Sequence, residues 1–199
     1  MTRSLTVFLS ASFPEPGRAG NFPISDPAEL ADALTNVTRE ILRRGGRVLS
    51  GGHPTITPLL QYVCAENQYV DSLIVYQSER FRPAIPDETW RLSAEGWGDL
   101  RFTESSGDRA HDLEIMRTAM LTAEPMAAAV FIGGMEGIVD EHHLVGRLAP
   151  GVPRLALKGP GGAAATLEGV VGIEASTDVD TTPRRYPVLA RHIAQAIGL

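Results

Sequence analysis

The chain has 199 residues, of which 43% are hydrophobic and 21% charged, with a formal net charge of −6. These values fit one globular domain over residues 1–199 with a sizeable core; the acidic balance, without a long basic run, argues against a nucleic-acid-binding surface, and no apolar run nears the roughly 18 residues of a membrane span. Cys64 is the only cysteine, so no intrachain disulfide can form, and the apolar stretch at the start is too short for a signal peptide; both point to a cytoplasmic protein.

Residues 5–11 read as a buried strand, closed by a proline- and glycine-bearing loop over 12–25. Asp26-Pro27-Ala28-Glu29 is a helix start, with Asp26 as the cap, Pro27 in the first turn and Glu29 at the capping-box position. Leu30, Leu34, Val37, Ile41 and Leu42 follow at helical spacing, and Gly45-Gly46 ends the helix. A short strand over 47–50 leads to a second helix expected over 55–66, then to a strand over 69–76. Residues 77–98 are less regular and read as a surface excursion with one turn of helix. A strand over 100–103, a helix over 108–122, an apolar strand over 126–132 and a helix reaching 148 come next. The chain ends with a strand over 152–157, a helix over 163–171 and a terminal helix over 187–197. This alternation predicts a three-layer, Rossmann-like α/β fold: a mostly parallel sheet with helices on both faces. In such sheets ligands sit beyond the carboxyl ends of the strands, near a switch in strand order. No pattern in the sequence fixes that order.

Three strands end in glycine turns on the same rim: Ser50-Gly51-Gly52-His53, Gly133-Gly134-Met135-Glu136-Gly137, and Gly159-Pro160-Gly161-Gly162. Glycine lets backbone approach a ligand, and a helix N-terminus then offers N–H groups and a favourable field to phosphate. One such turn is weak evidence, because glycine also simply ends strands; three on one rim predict a site for a phosphate-bearing, nucleotide-like small molecule. An ATPase phosphate loop is absent, and no Gly-x-Gly-x-x-Gly run follows the first strand.

The run Gly133-Gly134-Met135-Glu136-Gly137-Ile138-Val139-Asp140-Glu141, with Ile115-Met116-Arg117-Thr118 before it and Ser50-Gly51-Gly52 earlier, resembles the SLOG superfamily. That superfamily unites the LOG phosphoribohydrolases, the DNA-processing Smf/DprA domain and nucleotide-sensing domains of bacterial defence systems. LOG enzymes carry Pro-Gly-Gly-x-Gly-Thr-x-x-Glu after a strand and Met-His-x-Arg-Lys on the preceding helix. By this resemblance Arg117 is the motif arginine and Glu141 the motif glutamate. The chain departs from the enzyme pattern. Ile132 replaces proline, one residue is inserted before Gly137, Ile138 stands at the threonine position and Thr118 at the lysine position. These departures, with the Gly-Gly-His-Pro turn and the late Gly-Pro-Gly-Gly-Ala-Ala run, resemble the sensor branch more than the enzymes.

The resemblance implies two functions. The first is recognition of a nucleotide, ADP-ribose or cyclic ADP-ribose type of ligand, the signal passing through a homodimer, a higher homo-oligomer or a separate effector protein. The second is hydrolysis of an N-glycosidic bond, as by a nucleoside 5′-monophosphate phosphoribohydrolase, with Arg117 and Glu141 as the catalytic pair. Ligand contacts are expected from Ser10, Ser12, Gly51, Gly52, His53, Gly133, Gly134, Met135, Glu136, Gly137, Gly161 and Gly162. Arg117 can hold a phosphate as a fork or pair with Glu114 or Glu124. Glu141 can bind ribose hydroxyls or orient a water at the anomeric carbon. Glu136 suits a helix start and repels phosphate. His142-His143 point to different faces and make a poor chelate, so neither metal nor cofactor is implied. Trp90 and Trp97 serve packing or stack on a base. The methionine-bearing face of the 108–122 helix fits either self-association or the domain core.

Overall fold

Among the described residues, six strands form one sheet in which every pairing is parallel, in the order β4-β3-β2-β1-β5-β6. The strands are β1 (Thr6–Ser12), β2 (Arg47–Gly51), β3 (Leu73–Ser78), β4 (Gly98–Thr103), β5 (Met126–Gly133) and β6 (Arg154–Leu157). The helices are α1 (Pro27–Arg43), α2 (Thr57–Asn67), α3 (Asp87–Ala94), α4 (Arg109–Ala123), α5 (Glu136–Leu148) and α6 (Tyr186–Ala196). This computed structural model describes residues 4–14, 22–169 and 185–199.

The strands are apolar on both sides because both faces are covered. On one face, Val7, Leu9, Val48, Val75, Val130 and Ile132 pack against α1, α2, α3 and α6. On the other, Phe8, Leu49, Ile74, Ala129 and Phe131 meet α4 and α5. Successive residues of each strand thus serve opposite layers. Met116, Met120 and Leu121 of α4 are buried in this second layer, so the methionine face belongs to the core. Among the described residues, no helix is long and apolar enough to cross a membrane.

Helix α1 begins as its sequence predicts. The Asp26 carboxylate accepts from the N–H groups of Ala28 and Glu29 at 2.9 and 3.3 Å, with Pro27 at the first helical position. At its other end Glu40 accepts from Arg43 and Arg44, and Arg44 donates to the Leu199 carbonyl oxygen at 2.6 Å. The two arginines, Arg43 first, hold the Glu40 carboxyl down at about 2 against the opposing effect of its burial.

Four sequence expectations are corrected. Helix α2 starts at Thr57 rather than 55, because Ile56 is its N-cap and His53 and Thr55 bind each other before it. Strand β3 starts at Leu73 rather than 69, because Gln68 and Asp71 take the left-handed conformation and reverse the chain. The excursion over 77–98 is more ordered than expected. It holds a 3-10 helix, Glu79–Ala84, then α3, then the start of β4. The helix expected over 163–171 is only the 3-10 turn Ala163–Thr166. Residues 167–169 are irregular, and 170–171 lie outside the described residues.

Candidate functional site

Strands β1 to β4 follow one another across the sheet in one direction, whereas β5 returns to the far side of β1. The order therefore switches at the β1/β5 boundary, where Ser12 lies level with Gly133. Beside this switch, beyond the carboxyl ends of β1, β2 and β3, lies a cleft of about 290 Å³ roofed by α4 and α5. Ser10 and Ser12 come from β1, Gly51 from the end of β2, Gly52 and His53 from the turn after it, and Gln77 from β3. Phe81 enters from the 3-10 helix after β3. Helix α4 contributes Arg109, Leu113, Met116 and Arg117, and α5 contributes Gly137, Ile138 and Glu141.

At the base of the cleft three polar side chains are coupled. Ser10 Oγ donates to Glu141 Oε2 at 2.5 Å, and Arg117 Nε donates to Glu141 Oε1 at 3.2 Å. Arg117 also reaches Asp140, Nη1 to Oδ2 at 3.3 Å. Gly137 packs close against this cluster: a Cβ there would lie 3.0 Å from Arg117 Nη2. The side chains of Arg117 and Glu141 keep 17% and 15% of their exposure. Burial pushes the Glu141 carboxyl above its usual range, outweighing Arg117 and Ser10, and Asp140 adds to the rise. Arg117 thus pairs with Glu141 and Asp140 rather than with Glu114 or Glu124. Glu124 instead binds Arg47 and Arg101 at the other end of α4.

The expected site residues separate into two groups. Ser10, Ser12, Gly51, Gly52, His53, Arg117, Gly137 and Glu141 share the cleft. Gly133, Gly134, Gly161 and Gly162 do not line it; they lock the turns after β5 and β6 together. Gly134 N–H donates to the Ser12 carbonyl oxygen at 2.8 Å, Gly162 N–H to Pro23 at 3.1 Å, and Ala163 N–H to Gly134 at 2.9 Å. Met135 is the N-cap of α5 without a side-chain cap bond, and Glu136 is exposed in its first turn; neither lines the cleft.

The N–H groups of the turn after β2 are also engaged within the fold. Gly52 donates to Tyr76 and His53 to Gly51, both at 2.8 Å, while the Gln77 amide donates to the Gly52 carbonyl oxygen. His53 Nδ1 lies 2.8 Å from Thr55 Oγ1 at the rim.

Other candidates fall outside the cleft. His142 is buried edge-on to Phe131, with ring centroids 5.3 Å apart, whereas His143 is exposed. Burial, then Arg154 and His143, lower the His142 pKa and favour the neutral ring. Trp90 stacks on Phe102 at 5.5 Å, and Trp97 packs against the core. Among the described residues, no group of three or more His, Cys, Asp or Glu is placed to hold a metal ion.

The sequence reading missed Gln77, Phe81, Arg109, Leu113 and Met116 as cleft residues. A signal for the α4 set was present, because residues 109, 113, 116 and 117 fall within an arc of about 100° on a helix. Phe81 and Gln77 lie in the segment without regular pattern.

The SLOG cluster3 family model matches residues 22–192. The chain belongs to the SLOG cluster3 family. No curated protein and no solved structure gives a match. The SLOG match spans all three glycine turns, Arg117 and Glu141.

Proposed function

We propose that this SLOG domain binds a nucleotide-derived ligand in the cleft beside the β1/β5 switch. The ribose hydroxyls donate to Glu141, and Arg117 and Ser10 keep that carboxylate in place. The observation that carries this reading is the Ser10–Glu141–Arg117 cluster at the base of a cleft on the carboxyl rim of a parallel sheet. A carboxylate is an acceptor with lone pairs beyond those its two partners use, which suits sugar hydroxyls. The apolar Leu113, Met116 and Phe81 offer a surface for a base. A volume of about 290 Å³ sits at the low end of the roughly 300–1,000 Å³ of small-molecule sites, closer to one nucleotide than to a dinucleotide.

A second reading rests on a specific property of Glu141. A buried carboxyl held above its usual range, facing a cleft, suits general acid or base work. In an N-glycosidic hydrolysis it would accept a proton from water as the C1′–O bond forms and the C1′–N bond breaks, the base leaving with a proton. The replacements at Ile138 and Thr118 weigh toward the binding reading.

Incubation with ADP-ribose, its cyclic isomers, NAD and the nucleoside 5′-monophosphates, followed by native and denaturing mass spectrometry, separates the two. Retention of an unchanged ligand is expected, weakened in Glu141→Gln. Free base and ribose phosphate, absent with Glu141→Gln, would establish the hydrolase instead. A cleft that retains and cleaves none of these would overturn both.

A further inference from the structure

The cleft has two arginines in unlike electrical states. Arg117 is flanked by the carboxylates of Glu141 and Asp140. Arg109, two helical turns earlier on the same stripe of α4, lines the cleft and forms no ion pair among the described residues. The glycine-turn N–H groups at Gly52, His53, Gly134, Gly161 and Gly162 donate to backbone carbonyls. The start of α5 carries the carboxylates of Glu136, Asp140 and Glu141, which oppose an anion there.

The backbone beneath Arg109 is built rigidly. Asp112 is fully buried and accepts from Ser105 Oγ at 2.8 Å, Ser106 N–H at 2.5 Å and Ser106 Oγ at 2.8 Å. Arg80 donates to the Gly107 carbonyl oxygen at 2.8 Å and lies 3.7 Å from Asp112. The nearest acid in sequence, Asp108, is the α4 cap, its carboxylate accepting from His111 N–H at 2.8 Å. Arg109 therefore projects from a clamped loop at the first residue of a 15-residue helix, where the helix field adds to its charge.

We propose that Arg109 is the phosphate-binding residue of the cleft, so that the ligand lies with its ribose on Glu141 and its phosphate toward the start of α4. This rests on the nucleotide-binding reading above. It reverses the assignment suggested by the motif, under which Arg117 holds the phosphate; Arg117 instead orients Glu141. An arginine fork matches a phosphate's paired oxygens, and a charge-assisted pair of this kind is among the stronger polar contacts.

The test is calorimetric titration of the full chain with the four common ribonucleosides, their 5′-monophosphates and ADP-ribose. In the wild type, the monophosphate should bind more tightly than its nucleoside. Arg109→Ala should weaken each phosphate-bearing ligand about tenfold or more and leave the nucleosides unchanged, with Arg109→Lys between the two. Arg109 is exposed, so its replacement should leave the fold intact, which circular dichroism checks; if Arg109→Ala does not fold, the lysine variant carries the test. An Arg109→Ala chain that keeps its full preference for the monophosphate overturns this inference alone. So does a wild type that binds nucleoside and monophosphate equally. Failure of every ligand to bind overturns the nucleotide-binding reading and this inference together.

Discussion

Glu141 accepts from both Arg117 and Ser10 and is still pushed above the usual carboxylate range, because loss of water outweighs its two donors. This has a consequence for stability. Below the ordinary value of 4.5 the carboxyl is protonated in both folded and unfolded chains, and pH does not discriminate between them. Above it the unfolded chain releases the proton first, so the wild type loses stability as pH rises through the folded value. Glu141→Gln removes that loss. Its urea midpoint should exceed that of the wild type at pH 7, and the difference should vanish toward pH 4. A lower midpoint at pH 7 would mean that the Arg117 pair outweighs burial. At this scale the sequence is informative where a motif exists: the resemblance assigns Arg117 and Glu141 to one site, and the two side chains lie 3.2 Å apart. No motif marks Arg109; its helical arc with Arg117 places both on one side of α4 but does not say that this side faces a cleft. Its place depends on how far α4 rises above the sheet, which is a property of packing.

At the scale of elements, the glycine turns divide by what a side chain would meet. A Cβ on Gly51 would find only Met116 Cε at 3.7 Å, an ordinary contact. A Cβ on Gly162 would lie 2.5 Å from the Gly133 carbonyl carbon, and its φ of +68° is strained for any other residue. Gly162→Ala should therefore cost at least about 2 kcal/mol in chemical denaturation, from backbone strain and the separation of two interlocked turns. Gly51→Ala should be far milder. Equal losses at the two positions would contradict this division. The sequence showed three equivalent glycine turns, and nothing in their composition separates them. The difference arises because β6 pairs with β5, which brings the turn after β6 onto Gly133, whereas the turn after β2 stands two strands away. Helix caps were more legible: Asp26-Pro27 marks its helix by local chemistry alone, and the cap bonds follow. The 77–98 segment was hidden for the opposite reason, since Pro83 and Pro86 break any long period and leave only short helices.

At the scale of the whole molecule, the alternation of strands and helices gave the parallel sheet but not its order, and the order decides where the cleft lies. With β1 at the switch, its carboxyl end lies beside both the turn after β2 and helix α5, so the cleft there is lined by segments distant in sequence. A ligand bound across these segments stabilises the folded chain by mass action. At a free concentration of about one hundred times Kd the gain is about 2.7 kcal/mol. For a chain of 199 residues that corresponds to a rise of roughly 5–10 °C in Tm, at about 2–4 °C per kcal/mol. The time course of this shift separates a receptor from an enzyme. For a bound and unaltered nucleotide, the rise should be the same after a minute or several hours of incubation, and should grow with the logarithm of concentration. For a substrate, the shift should decay as ribose phosphate and base accumulate, and Glu141→Gln should restore a steady value. A binding domain therefore requires that the shift persist in the wild type; decay that Glu141→Gln abolishes would assign Glu141 to hydrolysis.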